Sequence, residues 1–258
     1  MLVEDRVAIV SGIGPGMGRD VSLALAREGA KLVLAARTAS KLEEVADEVR
    51  ALGRPCEIVP ADITKPDDCA AIAQAARDAY GRIDVLVNNA FHGGNFKTFE
   101  ETDVEGYLTP FKVNLMGSLR LTKAVLPDMK AQQGGSVVMI NSMVVRVVGP
   151  GQSTYGASKG ALLMAARGLA RELGPYGIRV NTVLPGYIWG PNLQIGFKLR
   201  AQQAGIPEQQ AIDEVTEQIA LGHIPTSEEI AGSVVFFASD LSCAVTGACL
   251  DVNGGHII

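Results

Sequence analysis

Short apolar runs rich in β-branched residues alternate along this chain with longer stretches in which apolar residues return every three or four positions. Arg6–Val10, Lys31–Ala36, Cys56–Pro60, Ile83–Val87 and Gly135–Asn141 read as strands. Arg19–Gly29, Lys41–Leu52, Asp67–Tyr80 and Asp103–Gln132 read as the helices between them, and a further helix spans Gln152–Gly174. Strand and helix in this alternation predict the α/β class, a doubly wound parallel sheet of Rossmann type covered by helices on both faces. No repeat or low-complexity linker breaks the rhythm, so residues 1–258 are expected to form a single domain. The longest region without a strand runs from Pro185 to His223 and carries a helical pattern over Ile206–Leu221, so a closing lid is expected at about residues 187–223.

The first strand breaks into S-G-I-G-P-G-M-G at residues 11–18 before the first helix begins. Gly12, Gly16 and Gly18 allow a sharp turn and a close approach to a pyrophosphate, and the following helix directs its unpaired N–H groups at the anion. A dinucleotide domain often carries an acid at the end of the second strand for the ribose 2′-hydroxyl. Here Ala36 and Arg37 stand at that place. A guanidinium can pair with a phosphate, so NADP(H) is expected ahead of NAD(H). The alternative is an Arg37 that lies over the adenine or in solvent. Asp62, at the end of the third strand, can accept from an adenine amino group or cap a turn. Asn88 and Asn89 close the fourth strand, where asparagines commonly brace the backbone.

On the helix that starts near Gln152, Tyr155 and Lys159 are one turn apart and point the same way. An ammonium beside a phenol favours the phenolate and lowers its pKa, so the pair is a candidate acid/base unit. Asn114 reads on its own as a hydrogen-bonded core amide, and Ser142 as a residue that ends a strand.

Composition narrows the possibilities. With 258 residues, 47% of them hydrophobic, the chain can build one large core. A net charge of −5 with scattered basic residues argues against a nucleic-acid surface and points to small-molecule partners. Cys56, Cys69, Cys243 and Cys249 share no metal-type or redox spacing, and His92, His223 and His256 are too dispersed to cluster, so no metal is expected. The opening MLVEDRVAIV is charged where a signal peptide is apolar, and the run Val137–Val148 is interrupted by Asn141, Ser142 and Arg146. No membrane association and a cytoplasmic location are therefore expected.

Taken together, the glycine turn, Asp62-Ile63, N-N-A at 88–90, Asn114, Ser142, Y-G-A-S-K at 155–159, R-V-N at 179–181, P-G at 185–186 and the ending T-G-A-C-L-D-V-N-G-G resemble the short-chain dehydrogenase/reductase family. The similarity covers nearly the whole chain and matches the single-domain branch. It implies catalytic roles for Asn114, Ser142, Tyr155 and Lys159. Tyr155 would be the acid in ketone reduction and the base in alcohol oxidation, Lys159 would support the phenolate and bond the nicotinamide ribose, Ser142 would hold the substrate oxygen, and Asn114 would hold a water linking Lys159 to solvent. Cofactor contacts are implied for Gly12, Gly16, Met17, Gly18, Arg37, Asp62, Ile63, Asn88, Ala90, Tyr155, Lys159, Pro185, Gly186 and Ile188. Two positions depart from the family's pattern: N-N-A continues as Phe91, and Gly190 stands where a threonine is common.

Met143, Val144, Tyr187 and Trp189, with Val145, Leu193 and Phe197 nearby, suggest a mainly apolar slot for a secondary alcohol or its ketone. Arg146, Lys198 and Arg200 could instead bind an acidic tail. The helix segment Ala161–Ala170 is apolar on nearly every side, and the resemblance implies a homotetramer, or at least a dimer. A cofactor-holding sensor, or an epimerase-like relative without net redox turnover, is the alternative to an NAD(P)-dependent oxidoreductase acting on CH–OH groups.

Overall fold

The computed structural model describes residues 1–257. Seven parallel strands, β1 (Val7–Ser11), β2 (Lys31–Ala36), β3 (Cys56–Pro60), β4 (Val85–Asn88), β5 (Gly135–Ile140), β6 (Ile178–Pro185) and β7 (Cys249–Val252), stand in the order β3-β2-β1-β4-β5-β6-β7. The strand order reverses between β1 and β4, which leaves a crevice outside the carboxyl ends of those two strands.

Side chains on a strand alternate between faces, and the two cores follow that alternation. Ala8 and Val10 of β1 join Leu32, Leu34, Val85, Val87 and Val138 under the helices α1 (Met17–Arg27), α2 (Ala39–Ala51) and α9 (Ser227–Ala238). Val7 and Ile9 join Val33, Ala35, Leu86, Val137 and Met139 under α3 (Pro66–Tyr80), α5 (Ser118–Ala131) and α6 (Ser153–Leu173). Every residue of β1 is buried, as a central strand covered on both faces requires.

The expected long helix over Asp103–Gln132 is four pieces. A 3₁₀ turn at Val104–Tyr107 leads into the short α4 (Leu108–Pro110), Phe111–Gly117 winds at the wider π pitch, and only then does α5 begin. Pro110 lacks the N–H that a continuous ladder needs, and the widened segment contains Asn114, whose side chain reaches out to a neighbouring loop. The lid region also differs from expectation. It holds two helices, α7 (Pro191–Ala204) and α8 (Glu208–Thr216), around a small core of Phe197, Ala201, Ala211, Val215, Ile219 and Ile224. After it come α9, opened by a reciprocal cap between Thr226 and Glu229, and β7.

Candidate active site

The crevice is closed on one side by the glycine turn between β1 and α1. Gly12 has φ +81°, and a Cβ there would lie 2.4 Å from the Ala90 Cα; a Cβ on Gly18 would lie 2.4 Å from the Gly12 carbonyl. Asn89 Nδ2 donates to that same Gly12 oxygen at 2.8 Å, so the turn and the end of β4 are held together through backbone. Gly16, at φ +99°, begins α1 without a side-chain cap, and Gly14 faces open space. The Gly12 N–H is spent on the Ala35 carbonyl at 2.8 Å, and any side chain at Gly12 or Gly18 would break the packing of the turn on the end of β4; the uncapped start of α1 at Gly16 is what the turn leaves to an anion.

Next to the turn lies a cavity of about 110 Å³ lined by Met17, Asn89, Phe91, Ile140, Asn141, Ser142, Tyr155, Lys159, Pro185, Gly186 and Ile188. A second cavity of about 210 Å³ shares Phe91, Ser142, Tyr155 and Gly186 with it and adds Gly93, Phe96, Met143, Val144, Val147, Gln152 and Tyr187. Tyr155 and Ser142 therefore stand at the boundary of two connected spaces. The strand ends at β4, β5 and β6 bring these residues together, although they are scattered over most of the sequence.

Lys159 is almost fully buried, and its Nζ donates to the Ile140 carbonyl at 2.8 Å. Asn141 Nδ2 donates to the Lys159 carbonyl at 3.0 Å, which ties β5 to α6 at the site. Burial disfavours the ammonium and brings the Lys159 pKa down to about 7. The Lys159 Nζ is 5.8 Å from the centre of the Tyr155 ring. Burial pushes the Tyr155 phenol above its ordinary value, and the Ser142 hydroxyl is the only influence that lowers it. Sequence spacing suggests a phenol lowered by the amine; here burial acts the other way on the phenol, and Lys159, itself desolvated, binds the Ile140 carbonyl with one of its N–H groups.

Asn114 is fully buried. Its Oδ1 accepts from the His92 N–H at 2.6 Å, and its Nδ2 donates to the His92 carbonyl at 3.0 Å and to Ser158 Oγ at 2.8 Å. Ser158 in turn donates to the Tyr155 carbonyl at 2.7 Å. Both amide hydrogens are used, so the side chain braces the loop after β4 against the helix that carries Tyr155.

Several expected contacts fall elsewhere. Asn88 donates to Thr122 Oγ1 at 3.1 Å and is buried away from the cavity, which Asn89 lines in its place. Ile63 is buried against Gly117. Asp62 Oδ1 accepts from the Thr64 N–H at 2.9 Å and so caps its own turn, while the carboxyl is held below its usual range chiefly by that bond, with Arg37 contributing. Ala90 backs the Gly12 turn, and Arg37 is exposed at the end of β2. The Trp189 ring lies 6.4 Å from that of Phe197 and tilted to it by 36°, and its backbone bridges to Thr226, so with Leu193 it packs on the lid's own core and does not line either cavity. Arg146 pairs with Asp251 and Arg200 with Glu214, which answers their charge within the chain. Sequence reasoning missed Asn89, Ile140 and Asn141, each of which follows or ends a strand at the crevice, and it gave no role to the loop Phe91–Phe96.

A larger cavity of about 710 Å³ opens at the opposite end of the sheet among Arg6, Arg82, Asp84, Arg179 and Asp240. Its guanidinium groups are already engaged: Arg82 with Asp84, Arg6 with Asp240, and Arg179 with Ser242 Oγ and the Ser239 carbonyl. It lies at the amino ends of the strands, away from the crevice. Among the described residues there is no cluster of three metal-ligating side chains, and no helix is long and apolar enough to cross a membrane.

Residues 12–256 match the family model described as enoyl-(acyl carrier protein) reductase. An uncharacterized oxidoreductase of Mycobacterium tuberculosis is 34% identical, with 98% of this chain and 92% of that protein covered. The L-rhamnose 1-dehydrogenase (NAD(P)(+)) of Azotobacter vinelandii is 33% identical, with 100% of this chain and 99% of that protein covered. Among solved structures, an NAD+-bound xylitol dehydrogenase superposes with a TM-score of 0.91 at 27% identity, covering 98% of this chain and 99% of that one.

Proposed function

Because this chain belongs to the short-chain dehydrogenase/reductase family, we propose that it interconverts a mainly apolar ketone and its secondary alcohol with NADP(H) as the preferred cofactor. The observation that carries this reading is the shared boundary at Ser142 and Tyr155 between a slot beside the glycine cradle and an apolar cavity. The turn fits a dinucleotide, since Gly14 faces open space and α1 starts at Gly16 with no side-chain cap on its first N–H groups. Gly12, Gly16, Met17 and Gly18 would hold the pyrophosphate, and Asn89, Lys159, Pro185, Gly186 and Ile188 the nicotinamide end. When bound, the nicotinamide supplies or accepts the hydride.

The protein's own part is proton transfer and orientation. The Ser142 hydroxyl donates to the substrate oxygen and holds it at the Tyr155 Oη, which passes its proton to that oxygen in reduction. A phenol raised by burial stays protonated at neutral pH, which suits the acid role. In the reverse direction Tyr155 must first lose its proton, so alcohol oxidation should rise with pH. Lys159, with a pKa of about 7, can carry charge or release it within the working range.

Arg37 and the missing carboxylate at Ala36 support NADP(H) over NAD(H). Reduced-cofactor absorbance with NADH and with NADPH, read against a panel of ketones and alcohols, tests both parts. The NADPH/NADH ratio of kcat/KM should fall at least tenfold in Arg37→Ala. An unchanged ratio would refute the cofactor assignment, and absence of turnover across the panel would refute the reductase reading. The half-exposed face of α6, with Met164 turned outward, supports contact with a second copy and assembly into a tetramer. Sedimentation at micromolar concentration checks it.

A further inference from the structure

Phe91 and Phe96 stand 63% and 71% exposed beside the active site, although large apolar side chains ordinarily avoid water. Their backbone is held on several sides. His92 is clasped at both its N–H and its carbonyl by Asn114, the Gly94 N–H donates to His92 Nδ1 at 3.1 Å, and Asn95 Nδ2 donates to Thr102 Oγ1 at 3.2 Å. Gly94 and Gly151 close the packing: a Cβ on Gly94 would lie 2.6 Å from Thr154 Oγ1, and one on Gly151 would lie 2.9 Å from the Phe96 carbonyl. A segment fixed this firmly presents its rings; it does not merely leave them loose.

Both rings reach the same place. A Cβ on Gly93 would sit 3.6 Å from Phe96 Cε2 and 3.9 Å from Phe91 Cε2, so the missing side chain leaves a gap bordered by two aromatic edges. That gap opens into the cavity which also holds Tyr155 and Tyr187, and Phe91 lines the cofactor-side slot as well. The remaining walls, Met143, Val144 and Val147, are apolar and carry no charge. Gln152 Oε1 already accepts from the Gly149 N–H at 2.9 Å, while the Gln152 Nε2 hydrogens have no partner among the described residues. Apart from Gln152 and the Ser142, Tyr155 and Tyr187 hydroxyls, the wall has no polar side chain for the hydroxyls of a polyol, whereas its aromatic edges and faces favour a flat hydrocarbon.

We propose that Phe91 and Phe96 form an aromatic clamp that selects substrates whose carbonyl or carbinol carbon is borne on a flat, unsaturated or fused-ring body. The proposal rests on the reading of this site as an alcohol/ketone oxidoreductase and adds the shape of its substrate.

The test compares 2-acetylnaphthalene, 2-octanone, 2-butanone and fructose as oxidants of reduced cofactor. In parallel, calorimetric titration measures binding of 2-acetylnaphthalene to the cofactor-loaded protein and to Phe91→Ala and Phe96→Ala. The clamp predicts a kcat/KM for the naphthyl ketone at least 100-fold above that for 2-butanone and well above that for 2-octanone. It also predicts a fall of at least tenfold in the naphthyl-to-butanone ratio, and in naphthyl binding, in each variant; Phe96→Tyr should retain both. Equal efficiency on the octyl and naphthyl ketones, a preference for fructose, or unchanged binding in both alanine variants would overturn the clamp. Naphthyl binding that is lost in the variants, with no turnover of any ketone, would uphold the clamp and overturn the reductase reading instead.

Discussion

Replacing Lys159 by methionine removes the one amine that the fold buries completely, and the effect should depend on pH in a calculable way. The Lys159 pKa falls from 10.5 to about 7 on folding because burial disfavours the ammonium. A folded-state pKa below the unfolded value means that the unfolded chain binds more protons between the two. Stability from this group therefore increases as pH rises from about 7 toward 10.5, and none of that gain is present below 7. At 1.36 kcal/mol per pKa unit, with the folded group half-titrated at pH 7, the gain between pH 7 and pH 9 is about 2 kcal/mol. Lys159→Met fills similar space and has no proton to bind, so the difference between the two proteins isolates this group. Urea unfolding of both at pH 7, 8 and 9, without cofactor and at one protomer concentration, should show the wild type gaining about 2 kcal/mol on the variant. Parallel stability curves would refute the claim that the amine is desolvated in the folded protein.

Substitutions at Gly94, Gly160 on the helix that carries Tyr155, and His256 probe the surroundings of the site. Gly94→Ala places a Cβ 2.6 Å from Thr154 Oγ1 and 3.3 Å from Tyr155 Cβ at φ +84°; it should cost about 1–3 kcal/mol in thermal unfolding and lower kcat at least tenfold. Gly160→Ala on the same helix meets nothing within 4 Å and should leave unfolding unchanged or stabilise by up to about 1 kcal/mol. The Tyr187 ring stacks on His256 with centroids 5.4 Å apart and planes at 21°, so His256→Ala should raise KM by roughly two- to tenfold with kcat little changed, and His256→Phe should restore it. Steady-state kinetics on one ketone separates these outcomes.

How much of this was legible beforehand depends on how local the signal is. The strands β1, β2, β3 and β5 and the helices α1, α2, α3 and α6 announce themselves because each carries its own periodicity and ends in its own turn. The glycine turn and the Tyr155–Lys159 spacing are local too, and the structure brings both to one crevice. Asn114 was legible as a core amide, but its partners at His92 and Ser158 lie 22 and 44 residues away, which no pattern reports. The π segment contains Asn114, and a helix expected to be continuous is divided there. The Lys159 and Tyr155 pKa values likewise depend on walls assembled from β5 and α6, so spacing alone places the amine beside the phenol but cannot report the burial that lowers the one and raises the other. Trp189 looks like a pocket residue in sequence because nothing there announces the lid's first helix, α7, against which it packs. The cap before α9 was readable in T-S-E-E at residues 226–229.

The account turns on the proton carried by a single phenol. Turnover of Tyr155→Phe should be measured with a ketone that the wild type reduces, alongside cofactor binding by fluorescence titration. A loss of about 100- to 10,000-fold in kcat with cofactor affinity changed less than threefold is the predicted result. Retention of more than a tenth of the wild-type rate would contradict it.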